Sequence, residues 1–264
     1  MSQVDPRHSL ELLRPEVDAL NGRIVALTAD QWQAASNCAG WQVADLVAHV
    51  VRNGWSLLTF VQRGLAGDPT SPFGQAAAGL QEEIKASGPK AAAERQERET
   101  SEMISLVNGL SDADLAKLAT HPAGPRPISW GCTQRLVEVA FHHWDLRRSL
   151  GADEPLEAGL ASYLLGFMLD PAGSSIMLRP VAEGRAPETF RLTSITDGAS
   201  WRLTASPAGR IVEADPSGPA GVSVEAEAGW LTLALYGRAA VEGPRFKVSG
   251  APDAAQRFAA AFGG

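Results

Sequence analysis

The sequence predicts an α + (α+β) architecture, a four-helix bundle followed by a small α+β module. Two observations carry this expectation. In the first half, long stretches place apolar residues three and four apart, the period of a helix buried along one face. Beyond Asp153, short stretches alternate apolar and polar residues, the period of a strand. The expected divisions are 1–153 for the bundle, 154–187 for a connecting helix and linker, and 188–264 for the module.

The elements follow in order. Leu12, Leu13, Val17, Leu20, Ile24 and Leu27 share one helical face, so a first helix is expected near Leu10 to Leu27, with a break or short new turn at Ala29 to Trp32. A second helix is expected from about Trp41 to Arg63, with Gly64 and Gly67 as stop signals. The Pro-, Gly-, Ser- and Ala-rich stretch Asp68 to Gly79 reads as a loop long enough to cover a site. A third helix fits Ala91 to Leu110, a loop Pro122 to Pro127, and a fourth helix Ser129 to Leu150, closed by Gly151. Four long helices with short or moderate connections make a bundle. One more apolar helix, Leu156 to Leu169, precedes a Pro- and Gly-containing stretch from Pro171 to Pro187. Strands are then expected at Phe190–Ile195, Trp201–Ala205, Gly221–Glu225 and Phe246–Ser249, with helices at Gly229–Tyr236 and Asp253–Phe262.

Composition excludes several classes. Among 264 residues, 45% are hydrophobic and 20% charged, as in an ordinary folded protein. No window approaches the roughly 18 uninterrupted apolar residues of a membrane span. The first residues lack the basic patch and apolar run of a secretory signal, so a cytoplasmic location and no membrane partner are expected. A net charge of −7 with scattered Lys and Arg opposes a phosphate backbone, so no nucleic acid is expected as partner. Cys38 and Cys132 form no Cys-x-x-Cys pair, which argues against a disulfide framework or a thiolate zinc knuckle. Cys132 lies almost two turns before Glu138 and reads as a small buried residue.

The chemistry centres on two helices. Glu138 and His142 lie four apart on the fourth, which puts both side chains on one face and could present a carboxylate oxygen and an imidazole nitrogen to one ion. His49 interrupts an apolar run on the second helix, and a buried imidazole needs a partner. Spacing alone leaves both open: a Glu and a His four apart also make an ordinary surface pair, and His49 also reads as a satisfied core histidine. A His/Glu/His set would leave a position for water or substrate, and it suits zinc, with iron, nickel or manganese also accommodated. His143 points about 100° round the helix from His142 and reads as packing or as support for a ligand. Asp45 and Asp145 are candidates to orient a ligand imidazole; His8 and His121 read as surface residues, and Trp41 and Trp144 as packing.

Two segments, Gly40-Trp41-Gln42-Val43-Ala44-Asp45-Leu46-Val47-Ala48-His49-Val50-Val51-Arg52-Asn53 and Arg135-Leu136-Val137-Glu138-Val139-Ala140-Phe141-His142-His143-Trp144-Asp145-Leu146, together resemble the mycothiol-dependent maleylpyruvate isomerase family, a branch of the DinB-like helical bundles. The resemblance implies that His49, Glu138 and His142 are the metal ligands, with zinc as the usual metal. It also implies a C-terminal domain similar to sterol carrier proteins. There the run Leu-Ala-Leu-Tyr-Gly-Arg places Arg238 where the family has an arginine that helps form the active site across the domain interface. Trp144 and Asn53-Gly54-Trp55 depart from the pattern and leave the substrate pocket undefined.

The expected function is therefore a divalent-metal-dependent enzyme using mycothiol as a low-molecular-weight thiol cosubstrate, acting on a small electrophile by S-transfer or by cis–trans isomerisation, as monomer or homodimer. Arg238, and with less support Arg52, would pair with a carboxylate of substrate or cosubstrate; Arg52 equally reads as an intra-helix ion pair. The alternative is a non-catalytic carrier that holds an apolar ligand in the C-terminal module. A metal-binding regulatory protein is a third reading, opposed by the absence of Cys-x-x-Cys.

Overall fold

A computed structural model describes residues 5–170, 186–207, 209–213 and 215–262, with the backbone alone at 75, 76 and 78. Chain contacts divide it into two units, Asp5–Asp153 and Glu154 onward. The stretch expected to continue from Pro171 lies outside the described residues as far as 185.

The first unit is a four-helix bundle of α1 (Pro6–Val25), α3 (Val43–Ala66), α4 (Gln75–Asn108) and α6 (Ile128–Ser149). Short helices α2 (Ala29–Gln33) and α5 (Asp112–Leu115) and a two-residue hairpin of β1 (Leu118–Ala119) and β2 (Arg126–Pro127) fill the connections. Each long helix packs on two others, in the cyclic order α1, α4, α3, α6. The apolar faces that the spacing defines are the ones that meet: Leu13, Val17 and Ile24 of α1, Leu46, Val50, Leu57 and Phe60 of α3, Ile84, Met103 and Val107 of α4, and Leu136 and Val139 of α6 are all buried.

The structure corrects three expectations. The third helix starts at Gln75, not near Ala91, and runs as two segments that meet at Gly88, whose φ of 80° breaks the α-helical course just before Pro89. The loop before it is shortened accordingly. Gly64 does not stop α3: the helix continues to the left-handed Gly67, because Gly64 is a contact point where an added Cβ would lie 2.8 Å from the Ala119 methyl. His121 is not a surface residue. Its ring sits edge-on between Phe73 (5.0 Å) and Trp130 (4.9 Å), pinning the segment before α4 to the start of α6.

In the second unit, α7 (Ala158–Met168) precedes a five-stranded sheet of order β5-β4-β3-β6-β7: β3 (Glu188–Ser194), β4 (Ser200–Ser206), β5 (Gly209–Val212), β6 (Val222–Ala226) and β7 (Phe246–Gly250). β3 and β6 run parallel and the other pairs antiparallel. The α+β reading thus holds. The β3–β4 hairpin turns at Asp197-Gly198, where glycine supplies a φ of 75°. Helix α8 (Ala228–Leu235) bridges β6 and β7, and α9 (Ala254–Phe262) brings Phe258 and Phe262 against Phe190 of the sheet. β5 is an unexpected element. No helix among the described residues is long and apolar enough to cross a membrane.

Candidate metal centre

Helices α3 and α6 pack side by side in the bundle, and that packing brings together residues 89 positions apart. His49 Nε2 lies 3.4 Å from Glu138 Oε2, and His142 Nε2 lies 3.6 Å from the same oxygen. One ligand atom from each residue falls within a common 4.8 Å. Four-coordinate zinc with N and O ligands at about 2.0–2.1 Å holds neighbouring ligand atoms about 3.3–3.4 Å apart. The two observed separations are close to that edge, so the donor set and its spacing fit a divalent ion.

The surroundings prepare these groups. Asp145 Oδ2 accepts from His142 Nδ1 at 2.9 Å, which fixes the ring and aims Nε2 at Glu138. Gln134 Nε2 donates to the other Glu138 oxygen at 3.0 Å. Burial opposes charge on Glu138, yet the hydrogen bonds and charges of His142 and His49 outweigh it and hold the carboxyl well below the usual range. His142 moves the other way: burial lowers its pKa, but Asp145, Cys38 and Glu138 together raise it to about 10. Burial lowers the pKa of His49 against the pull of Glu138, which favours the neutral imidazole that a metal requires.

Each expected residue has a definite place. Arg52 Nη2 donates to His49 Nδ1 at 3.1 Å, so this guanidinium is beside the cluster and not in a surface ion pair. Arg238 belongs to the second unit, just after α8, with its guanidinium 5.7 Å from the Tyr236 ring centre. Of the two aspartates, only Asp145 supports an imidazole; Asp45 accepts from the Gln42 N–H at the start of α3 and pairs with Lys85 at 2.5 Å. His143 faces away, with Nδ1 on Glu16 and Nε2 accepting from Arg23, a satisfied buried histidine. His8 pairs with Glu11 at the surface as expected.

Sequence reasoning missed two neighbours. Trp41, taken as packing, forms a wall of the cluster, its ring centre 5.0 Å from that of His49 and 6.4 Å from that of His142. Cys38 places Sγ 3.4 Å from Asp145 Oδ2. Both come from the loop between α2 and α3, far in sequence from α6, and local spacing gives no signal for such a contact.

The fold and cluster define a class: helical-bundle proteins with an interior His/Glu/His set between two facing helices. Residues 13–147 match the family model described as the mycothiol maleylpyruvate isomerase N-terminal domain, and the chain belongs to that family. Over 92% of this chain and 96% of theirs, the structure is similar to the crystal structure of the mycothiol-dependent maleylpyruvate isomerase (TM-score 0.65, 17% identity) and to that of a variant with a histidine replaced by alanine (TM-score 0.64, 17% identity). At that identity the likeness shows the fold. No curated protein matches the sequence.

Proposed function

We propose that this chain is a metal-dependent enzyme that activates a low-molecular-weight thiol, mycothiol, for reaction with a small electrophile of the maleylpyruvate kind, with His49, Glu138 and His142 as zinc ligands. The observation that carries this reading is the meeting of three ligand atoms within 4.8 Å, with both histidine nitrogens near tetrahedral spacing from Glu138 Oε2, inside a bundle of this family. A divalent cation there supplies stabilisation of a thiolate at neutral pH, and the thiolate is the nucleophile.

The chain's own groups would do the rest. Asp145 holds His142 in the tautomer whose Nε2 is available. A His49 that ligates through Nε2 carries its proton on Nδ1 and no longer accepts from Arg52, which leaves that guanidinium for a carboxylate. Arg238 is proposed, on the family resemblance, as a second carboxylate partner. Trp41 shields one side of the cluster from water. Thiolate addition to a cis double bond, rotation and elimination give isomerisation; displacement of a leaving group without elimination gives S-transfer.

Metal analysis of the purified protein beside its His49→Ala and Glu138→Ala variants tests the assignment. The expected result is about one zinc per chain in the parent and loss in both variants. A parent that takes up no stoichiometric metal on reconstitution overturns the reading.

A further inference from the structure

We infer that Cys38, His142 and Asp145 form a second metal position, suited to a soft or borderline dication such as cadmium, whose filling excludes His142 from the His49/Glu138 set. It shares His142 with the proposed zinc ligands, one ligand atom of Cys38, His142 and Asp145 falling within a common 4.8 Å, and it faces the other ring nitrogen, Nδ1, which lies on Asp145 Oδ2.

The geometry of these three groups is that of a ligand set. Cys38 Sγ and His142 Nδ1 both direct a proton at one atom, Asp145 Oδ2, from 3.4 and 2.9 Å. With zinc's bonds of about 2.3 Å to sulfur and about 2.0–2.1 Å to oxygen or nitrogen, tetrahedral coordination separates S and O by about 3.5 Å and N and O by about 3.3 Å, and a larger ion such as cadmium spreads them further. The observed pairs lie within a few tenths of an ångström of the zinc values, and cadmium requires the ligands to open further. A thiolate, an imidazole and a carboxylate make a softer set than His/Glu/His, and thiolate is the donor that selects soft ions.

The position is built in advance. Asp145 is 1% exposed, and its second oxygen accepts from Asn37 Nδ2 at 3.2 Å. Asn37 is held in turn, its backbone N–H donating to Ser149 Oγ at 2.8 Å. Cys38 sits in a closed turn in which Trp41 N–H donates to Cys38 O at 3.0 Å and Ser36 N–H to Trp41 O at 2.8 Å. Cys38 is half-buried and its partners are buried, so the thiol is the side from which an ion would arrive.

The exclusion follows from proton placement. A dication at this position displaces the thiol proton of Cys38, which leaves to solvent, and takes the Nδ1 lone pair of a neutral His142 ring, whose single proton then lies on Nε2. His142 then keeps its proton on Nε2, directed at Glu138 Oε2, and that nitrogen has no lone pair to offer the other site. A neutral imidazole serves one position at a time, and filling both would require loss of its remaining proton to give a bridging imidazolate.

Titration of the metal-stripped full-length protein with cadmium, followed by the ultraviolet thiolate-to-cadmium charge-transfer band, tests this. The parent, Cys132→Ser and His49→Ala should each develop the band to saturation, and Cys38→Ser should lose it while keeping the parent's circular dichroism. In cobalt-loaded parent, cadmium should bleach the visible cobalt bands as the thiolate band grows, and in Cys38→Ser it should not do so at the same stoichiometry. Absence of a thiolate band in the parent, or its survival in Cys38→Ser, overturns the second position. Growth of the band with the cobalt spectrum intact overturns the exclusion. The band in His49→Ala reads this site alone, so its presence or absence is independent of whether the zinc assignment holds.

Discussion

Arg135 is among the largest fully buried side chains, at 1% exposure. It stands on α6 one turn before Glu138, with Nη1 donating to Val50 O at 2.8 Å and to Asn53 Oδ1 at 3.3 Å, both on α3. The helices admit it because residue 54 is glycine: an added Cβ would lie 2.9 Å from Arg135 Nη2 and 3.2 Å from Glu99 Oε2. Glu99, on α4, is buried beside this cation and pairs with Arg95 at 2.8 Å. Burial raises its pKa from the ordinary 4.5, against the opposing pull of Arg95, Arg135 and Arg98. A carboxyl with a raised folded pKa binds its proton more tightly when folded, so its contribution to stability falls as pH rises from about 4.5 through the folded value. Glu99→Gln removes that downward slope. Urea midpoints of parent and variant across this range should converge at the acid end and separate in the variant's favour above it; a constant difference would reject the account. The charge at position 135 was plain in the sequence, but its burial was not, because burial depends on the glycine opposite.

At the scale of elements, what was readable depended on whether the signal was local. Helices α1, α3 and α6 carry long apolar faces, and their extents were expected to within a few residues. The first segment of α4 carries Gln81, Glu82, Glu83 and Lys85 between Gly79 and Gly88-Pro89, so its sequence reads as a polar stretch between breakers; its helix is made by packing Ile84 into the bundle and by the Lys85–Asp45 pair. β5 has four residues and exposes Ile211, and it is a strand through pairing with β4. His49, Glu138 and His142 were each visible as candidates within strong helical patterns, but the family resemblance and not their spacing put them together, whereas Cys38 and Trp41 lie in a loop that no periodicity places. The Gly88 junction gives a test at this scale. Its φ of 80° with ψ of 173° lies in a region open essentially to glycine alone and costs a side chain about 1–3 kcal/mol, and no neighbour blocks a Cβ there. Gly88→Ala should therefore destabilise the bundle by about 1–3 kcal/mol in urea unfolding through backbone strain alone. A neutral effect would mean that the two segments realign into a straighter helix.

For the whole molecule, the two units differ in what the proposed chemistry asks of them. All three proposed zinc ligands, Asp145 and Arg52 lie within Asp5–Asp153, whereas Arg238 belongs to the unit from Glu154 onward. Ligand linkage acts on the cooperative unit that contains the site. A metal bound only by folded protein adds about 2.7 kcal/mol when its free concentration is a hundred times its dissociation constant. With roughly 2–4 °C per kcal/mol for a chain of this size, or more for the bundle melting by itself, metal-stripped protein should gain several degrees in Tm on adding zinc. His49→Ala should abolish the gain, and Arg238→Ala should keep it in full, since its side chain is not among the ligands. If calorimetry resolves two transitions, zinc should move only one of them, because binding free energy enters only where folding creates the site; if there is a single transition, the whole of it should move. A gain that survives in His49→Ala combined with Cys38→Ser would show that zinc acts at other carboxylates on this acidic surface, and the His49/Glu138/His142 assignment would fall with it.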